Sequence, residues 1–336
     1  MSDQPIRAAG VQFDDPVLES AVRVGLDRVE TMLRDCVVSE HAFITEAARH
    51  LVYAGGKRFR PLLVLLASHF GDPAAPGVVP SAVVVELTHL ATLYHDDVMD
   101  EAALRRGTPS ANVRWDNTVA ILTGDYLFAK ASDILADLGT EAVRIQARTF
   151  ARLVEGQIRE TVGAAEGADA VDHYLQVVAD KTGSLIATSS RFGAMMAGAD
   201  PQTVDTLMRF GECIGSAFQL SDDLIDVASE TGTSGKTPGT DLREGIATLP
   251  VLFALRDSGP GGSRLRELLA GGALRDDDAA VTETLALLRA HPAMEQARAT
   301  LASYADDAKK IVAELPALPA RDALETLTDF VVARVG

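Results

Sequence analysis

The sequence predicts an all-α protein built as a single large helical bundle, and three observations predict it. Apolar residues recur at spacings of three and four through most of the chain, no segment alternates with period two for long, and the alanine-rich composition favours helix. With 336 residues, 47% of them hydrophobic, the chain can bury a sizeable core. Two acidic signatures lie far apart in the sequence and must cooperate, so residues 1–336 are read as one domain.

Taken in order, the periodicity places helices at 16–33, 39–54 and 61–70, the last opened by Pro61, a residue suited to a first helical turn. Further helices are expected at 81–99, 117–138, 141–162, 171–197, 202–227 and 246–255, with shorter ones to Val335. Val83-Val84-Val85 is a brief β-branched run inside one of them. Glycine and proline clusters mark loops at 71–80, 163–169, 229–245 and 258–263. There is no repeat of fixed period and no low-complexity linker.

Composition narrows the function. Acidic residues outnumber basic ones 48 to 31, a net charge of −17, which disfavours nucleic acid and anionic lipid as partners. Basic residues are nonetheless grouped at Lys57-Arg58-Phe59-Arg60 and Arg105-Arg106, which suits a small anionic ligand. Cys36 and Cys213 offer neither a disulfide framework nor Cys-x-x-Cys spacing, so a reducing compartment is expected. The first ten residues do not read as a signal peptide. The longest apolar runs fall far short of the ~20 residues needed to span a membrane. No stable membrane insertion is expected, and the location expected is cytoplasmic.

The chemistry is concentrated in two copies of Asp-Asp-x-x-Asp: Asp96-Asp97-Val98-Met99-Asp100 and Asp222-Asp223-Leu224-Ile225-Asp226. On a helix, positions i and i+4 share a face about 6 Å apart along the axis, so Asp96 converges with Asp100 and Asp222 with Asp226. Clustered carboxylates repel unless cations neutralise them. Oxygen-only donors suit Mg²⁺, which often completes its shell with substrate phosphates. Two such clusters facing each other would hold a diphosphate. One copy alone reads equally well as a solvated helix end; the second copy, preceded by Phe218-Gln219, weighs strongly against that.

Other residues fit the same ligand. Arg105 and Arg106 carry forks matched to phosphate oxygens, and Gly107 lets a turn bring them back over the helix end. Gly55-Gly56-Lys57-Arg58-Phe59-Arg60-Pro61 makes an anion cradle at a helix start. Asp180-Lys181-Thr182-Gly183 places a lysine and a hydroxyl in an apolar run, although a snorkelling lysine explains it as well. Lys236 lies on a glycine-rich loop beyond the second motif. The doublet His95-Asp96 permits a rival reading, a helical metal phosphohydrolase, which leaves the second motif, the Gly-Gly-Lys-Arg segment and Lys236 unexplained.

Together these residues resemble the trans-isoprenyl diphosphate synthase (polyprenyl synthetase) family. The resemblance runs from about Leu51 to Leu255 and rests on motifs in family order. These are Gly-Gly-Lys-Arg-Phe-Arg-Pro, the first aspartate motif with Arg-Arg-Gly, Gly124-Asp125-Tyr126-Leu127, Glu155-Gly156-Gln157, Lys181-Thr182-Gly183, Phe218-Gln219-Leu220-Ser221-Asp222-Asp223 and Thr248-Leu249-Pro250. Ile246 departs from the pattern, since many relatives carry a lysine there.

The resemblance implies the isoprenoid synthase fold, a helical bundle around a deep cavity, and a homodimer. It implies that Lys57, Arg60, His89 and Arg106 bind isopentenyl diphosphate. Asp96, Asp100 and Asp222, with Asp226, would hold Mg²⁺ against an allylic diphosphate, and Asp97 joins the catalytic set. Arg105, Lys181 and Lys236 would contact the leaving diphosphate, with Thr182 and Gln219 along the allylic cation. The growing tail would pass Thr88, Ala91 and Thr92. Short-chain relatives place aromatics four or five residues before the motif, where this chain has Thr92 and Ala91. The resemblance is therefore to long-chain synthases that make quinone side chains, with a short-chain synthase as the alternative. Terpene cyclases usually mix Asn, Ser or Thr and Glu in their second metal motif, and silent partner subunits tend to lose aspartates; all six remain here.

Overall fold

The structure is a computed structural model and describes residues 11–229, 238–270, 274–275 and 277–335. Its helices are α1 (Pro16–Cys36), α2 (Ala42–Tyr53), α3 (Phe59–Ser68), α4 (Val78–Met99), α5 (Ala111–Arg114), α6 (Asn117–Leu138), α7 (Thr140–Val162) and α8 (Ala170–Val178). They continue with α9 (Ser184–Met196), α10 (Pro201–Ala228), α11 (Thr240–Glu244), α12 (Leu249–Arg256), α13 (Pro260–Leu269), α14 (Asp278–Ala290), α15 (Ala293–Val312) and α16 (Pro319–Ala333). The fold is all-α, as expected. Among the described residues the one sheet is a two-stranded hairpin, β1 (Leu104–Arg105) and β2 (Thr108–Pro109).

Local features depart from the periodicity, among them the expected loop 258–263, where α13 begins at Pro260. The expected helix 171–197 is interrupted by a π-helical turn, Ala179–Gly183, between α8 and α9. The expected loop 229–245 contains α11. The segment after the first motif forms the hairpin, with Leu104 opposite Pro109 and Arg105 opposite Thr108. Its two-residue turn needs left-handed backbone at both positions; Arg106 has φ 54° and Gly107 φ 76°.

The chain divides into two compact units, each discontinuous in sequence. The first comprises Met1–Ala151, Leu185–Gly211 and Ile311–Thr326. Its α1 starts on Asp15, whose carboxylate accepts from the backbone of Val17 and Leu18, with Pro16 in the first turn. One apolar stripe of α1 is buried (Leu18, Val22, Leu26, Val29, Leu33). In α3 every residue except Arg60 is buried, and α4 is apolar on nearly all sides, with Val83, Val84, Val85 and Leu87 inaccessible. Full burial overrides the weak helix propensity of that valine run. α9 lies close against α3 at Gly193, where a Cβ would strike the Val64 carbonyl.

The second unit comprises Arg152–Ser184, Glu212–Lys310 and Leu327–Gly336. Asp169 caps α8 by accepting from Val171 and Asp172. Its core includes Tyr174, Val178, Leu220, Leu224, Leu265, Leu288 and Leu301. No described helix of the chain is long and apolar enough to cross a membrane.

Candidate active site

In the first unit, the glycine-rich segment before α3 is built around buried arginines. Arg58 has φ 48° and points inward with 1% of its side chain exposed. It donates to Glu30 on α1, to Glu86 on α4 at 2.8 Å and to the Val52 carbonyl at 3.0 Å. Burial works against its charge, but Glu86 and Glu30 outweigh that and raise its pKa. Arg106, from the hairpin turn, donates to the carbonyls of Gly55 and Leu51, and its Nη2 lies 3.9 Å from Glu86. A Cβ on Gly56 would sit 2.9 Å from the Arg106 guanidinium carbon, so this glycine is required by close approach as well as by its φ of 141°.

Arg60 and His89 belong to the same cluster. The Nε of Arg60 is buried without a hydrogen-bond partner, and burial lowers its pKa to about 10. Burial, followed by the charges of Arg60, Arg106, Arg58 and Arg105, pushes His89 well below the ordinary histidine range. Lys57 is exposed at the edge of the segment. Four predicted diphosphate ligands, Lys57, Arg60, His89 and Arg106, thus lie on elements joined through Arg58 and Glu86. Burial and the neighbouring arginines disfavour the charged forms of Arg60, Arg106 and His89, a strain that a bound anion would relieve.

The first acidic motif closes α4. Asp97 is inaccessible and accepts from Arg105 Nε at 2.6 Å; Arg105 Nη2 is 3.8 Å from Asp100. Burial pushes the Asp97 carboxyl up while Arg105 pulls it down, and its Oδ2 has no partner. Asp96 and Asp100 are half-buried on the more open side of the helix end.

The second motif, in the other unit, divides in the same way. Asp223 is 6% exposed and accepts from Tyr174 OH and, at 2.8 Å, from Gln219 Nε2. Burial raises its pKa to about 6; those two hydrogen bonds oppose the shift, and the charges of Asp222 and Asp226 add to it. Asp222 and Asp226 are half-buried. Asp226 accepts the backbone N–H groups of Thr240 and Asp241, each at 3.2 Å, at the start of α11. Asp222 accepts from Arg334, beyond the end of α16.

The π turn presents the remaining pair. Thr182 Oγ1 donates to Gln219 Oε1 at 2.9 Å, and Lys181 Nζ donates to Glu160 at 2.5 Å. Behind them Asp180, 2% exposed, accepts from Arg152 at 2.6 Å, from Arg159 and from Gln176 at 2.8 Å. α7 lies tight against this turn: a Cβ on Gly156 would be 2.8 Å from the Lys181 backbone nitrogen. Such bulges commonly mark functional positions in helices. Lys236 lies outside the described residues.

A cavity of about 250 Å³ in the first unit is lined by Thr88, Phe128, Ala131, Ser132, Leu135, Val143, Gln146, Ala147 and Phe150. Thr88 is two helical turns, about 12 Å, before Asp96. Gln146 Nε2 donates to Thr88 Oγ1 at 2.8 Å, and the Phe128 and Phe150 rings are 4.3 Å apart. Of the three tail positions, Thr88 lines this cavity. Ala91 is inaccessible, its carbonyl packed against Gly124 of α6, and Thr92 is half-buried.

Each motif by itself offers carboxylate oxygens at half-buried positions, Asp96 and Asp100 in the first unit and Asp222 and Asp226 in the second, and such oxygens suit a hard divalent cation. Among the described residues no group of three or more His, Cys, Asp and Glu side chains is gathered closely enough to enclose a metal. Sequence reasoning passed over Glu30, Glu86, Asp180, Glu160, Tyr174 and Arg334. For Glu86 and Asp180 the signal was present: each is a lone acid in an apolar helical run.

A family model described as polyprenyl synthetase matches residues 41–288. The chain is 52% identical over 329 residues to a nonaprenyl diphosphate synthase of Mycobacterium tuberculosis, covering 98% of each. It is 42% identical to a dimethylallyltranstransferase of the same organism, covering 96% of this chain and 98% of that one. Among solved structures it is similar to a geranylgeranyl pyrophosphate synthase from Corynebacterium glutamicum complexed with calcium and isoprenyl diphosphate. That likeness has a TM-score of 0.87 and 48% identity, covering 97% of this chain and 100% of that one.

Proposed function

We propose, from the premise that this chain belongs to the polyprenyl synthetase family, that it condenses isopentenyl diphosphate with an allylic diphosphate to give a long-chain all-trans polyprenyl diphosphate. The observation that carries this reading is the shared design of the two motifs. In each, the second aspartate is buried, while the first and last stay at half-buried positions. In this reading the half-buried Asp96, Asp100, Asp222 and Asp226 are the ligands for Mg²⁺. That the Corynebacterium enzyme is complexed with calcium and isoprenyl diphosphate supports a divalent ion in this reading.

Bound Mg²⁺ would neutralise diphosphate charge. Arg105, fixed by Asp97, and Lys181, on the π turn, offer cations to the allylic diphosphate as charge grows on it. Lys236 joins them in this reading. Thr182 and Gln219, already hydrogen-bonded together, line the path of the allylic carbon. Lys57, Arg60, His89 and Arg106 bind the diphosphate of isopentenyl diphosphate, which survives the step, so their contribution to binding is roughly uniform. Apolar walls exclude water from the reacting carbon. The cavity beside Thr88 receives the growing tail.

Residues 1–336 are taken as one catalytic domain in this reading, within a homodimer. Exposed apolar residues on α6 (Ile121, 43%; Leu122, 60%) support such an interface. The location in this reading is cytoplasmic, since two cysteines without Cys-x-x-Cys spacing suit a reducing compartment. A shorter product is the second reading, favoured by the Phe128–Phe150 ring pair at the cavity wall and by the names of two of the relatives. Incubation with Mg²⁺, labelled isopentenyl diphosphate and allylic primers, followed by sizing of the products, separates the two. Products well beyond geranylgeranyl length are expected, and chelation or Asp96→Ala should abolish them. Phosphate release without isopentenyl diphosphate would instead favour a phosphohydrolase.

A further inference from the structure

The residue that follows α16 brings a cation onto the second acidic motif. Arg334 donates to Asp222, and its guanidinium lies 4.8 Å from the centroid of the Phe218 ring, about one helical turn before Asp222 on α10. The Arg334 side chain is 14% exposed and that of Asp222 28%, so the pair is well shielded from water. Arg334 Nη1 is buried and has no hydrogen-bond partner. A guanidinium is built to engage a carboxylate with two parallel donors. Here a shielded N–H is left unsatisfied, which has a free-energy cost. The contact is thus held by charge and by the aromatic shelf more than by complete hydrogen bonding.

Three carboxylates within one turn of α10 repel one another in the absence of a cation. Arg334 offsets that repulsion from a distant part of the sequence, and it does so on an aspartate read above as a metal ligand. We propose that Arg334 is a resident counter-cation of the second acidic motif, holding Asp222 until a divalent cation displaces the guanidinium from it. This rests on the reading of Asp222 as a metal ligand. Two consequences follow. The metal-free protein is stabilised by Arg334, and metal affinity is lowered by the contact that must be given up.

Titration of the full chain with Mn²⁺ alone, followed by the electron paramagnetic resonance signal of the free ion, tests the exchange, together with melting in a chelator. Arg334→Met keeps an apolar stem over Phe218 and should bind Mn²⁺ about tenfold tighter, the scale of one charged hydrogen bond. It should also melt at a lower temperature in chelator, with the difference narrowing as Mn²⁺ is added. Arg334→Lys should fall between it and the parent. Asp222→Asn should weaken Mn²⁺ binding with either residue at position 334. If Asp222→Asn weakens binding but Arg334→Met binds no tighter than the parent, the exchange is overturned and Asp222 stands as a ligand. If Asp222→Asn binds Mn²⁺ as the parent does, both the ligand assignment and the exchange are overturned. Should Arg334→Met fail to fold, Phe218→Leu removes the shelf while leaving the charge, and its Mn²⁺ affinity should rise by a smaller factor; no rise overturns the proposal.

Discussion

His89 shows how a single side chain reports on its surroundings. Burial acts on it first, followed by the charges of Arg60 on α3, Arg106 in the hairpin turn, Arg58 before α3 and Arg105 on β1. Its folded pKa lies below the unfolded value of about 6.5, so the unfolded chain binds the proton more readily. Stability from neutral His89 is therefore intact above about pH 6.5 and lost as pH falls below it. The melting temperature of His89→Gln should fall less than that of the parent between pH 7 and pH 5. Parallel falls would remove His89 from this role. Arg58 carries a different lesson: breaking one side of a buried ion pair is costly because the other charge stays behind. Glu30 and Glu86 would both be left in that position, which makes Arg58 a framework residue despite its place among expected ligands.

The elements that matter most are those whose local geometry deviates from a plain helix. The π turn Ala179–Gly183 is held from behind by Asp180 and seated against Gly156. Asp180→Asn keeps the shape but weakens the contacts to Arg152 and Arg159. We expect kcat to fall at least about tenfold, equivalent to ~1.4 kcal/mol, with KM for isopentenyl diphosphate nearly unchanged. Equal changes in both would point to general loosening of the fold. In the proposed reading product length is set on α4, α6 and α7, which supply the cavity wall. Ala91→Phe would force a ring into closed packing against α6, an overpacking cost of ~1–3 kcal/mol. Thr88→Phe enters the cavity itself and should shorten the product, whereas Phe150→Ala opens the wall and should lengthen it. Unchanged product distributions for both variants would take this cavity out of the tail's path.

At the scale of the whole molecule, the helices and both acidic motifs were legible because each is encoded locally, by apolar spacing or by residues within one or two turns. The interruption at Ala179–Gly183 was not, since an apolar run reads alike through α-helical and π-helical turns. Partners contributed from distant sequence, such as Glu30 for Arg58 and Arg334 for Asp222, leave no mark near the residues they serve. The candidate site was therefore visible as a set of ligands but not as the framework that holds them. The discontinuous units also bear on how this protein is made. The chain passes between them five times, after Ala151, Ser184, Gly211, Lys310 and Thr326. A ribosome releasing the chain from its N-terminus cannot complete the first unit until Ile311–Thr326 has emerged, by which time nearly all of the second unit's residues are also out. Neither unit has the earlier start that N-terminal domains usually enjoy during synthesis. α3 meets α1 and α4 early, but its close contact at Gly193 exists only once α9 has emerged, so part of its apolar surface stays uncovered over that interval.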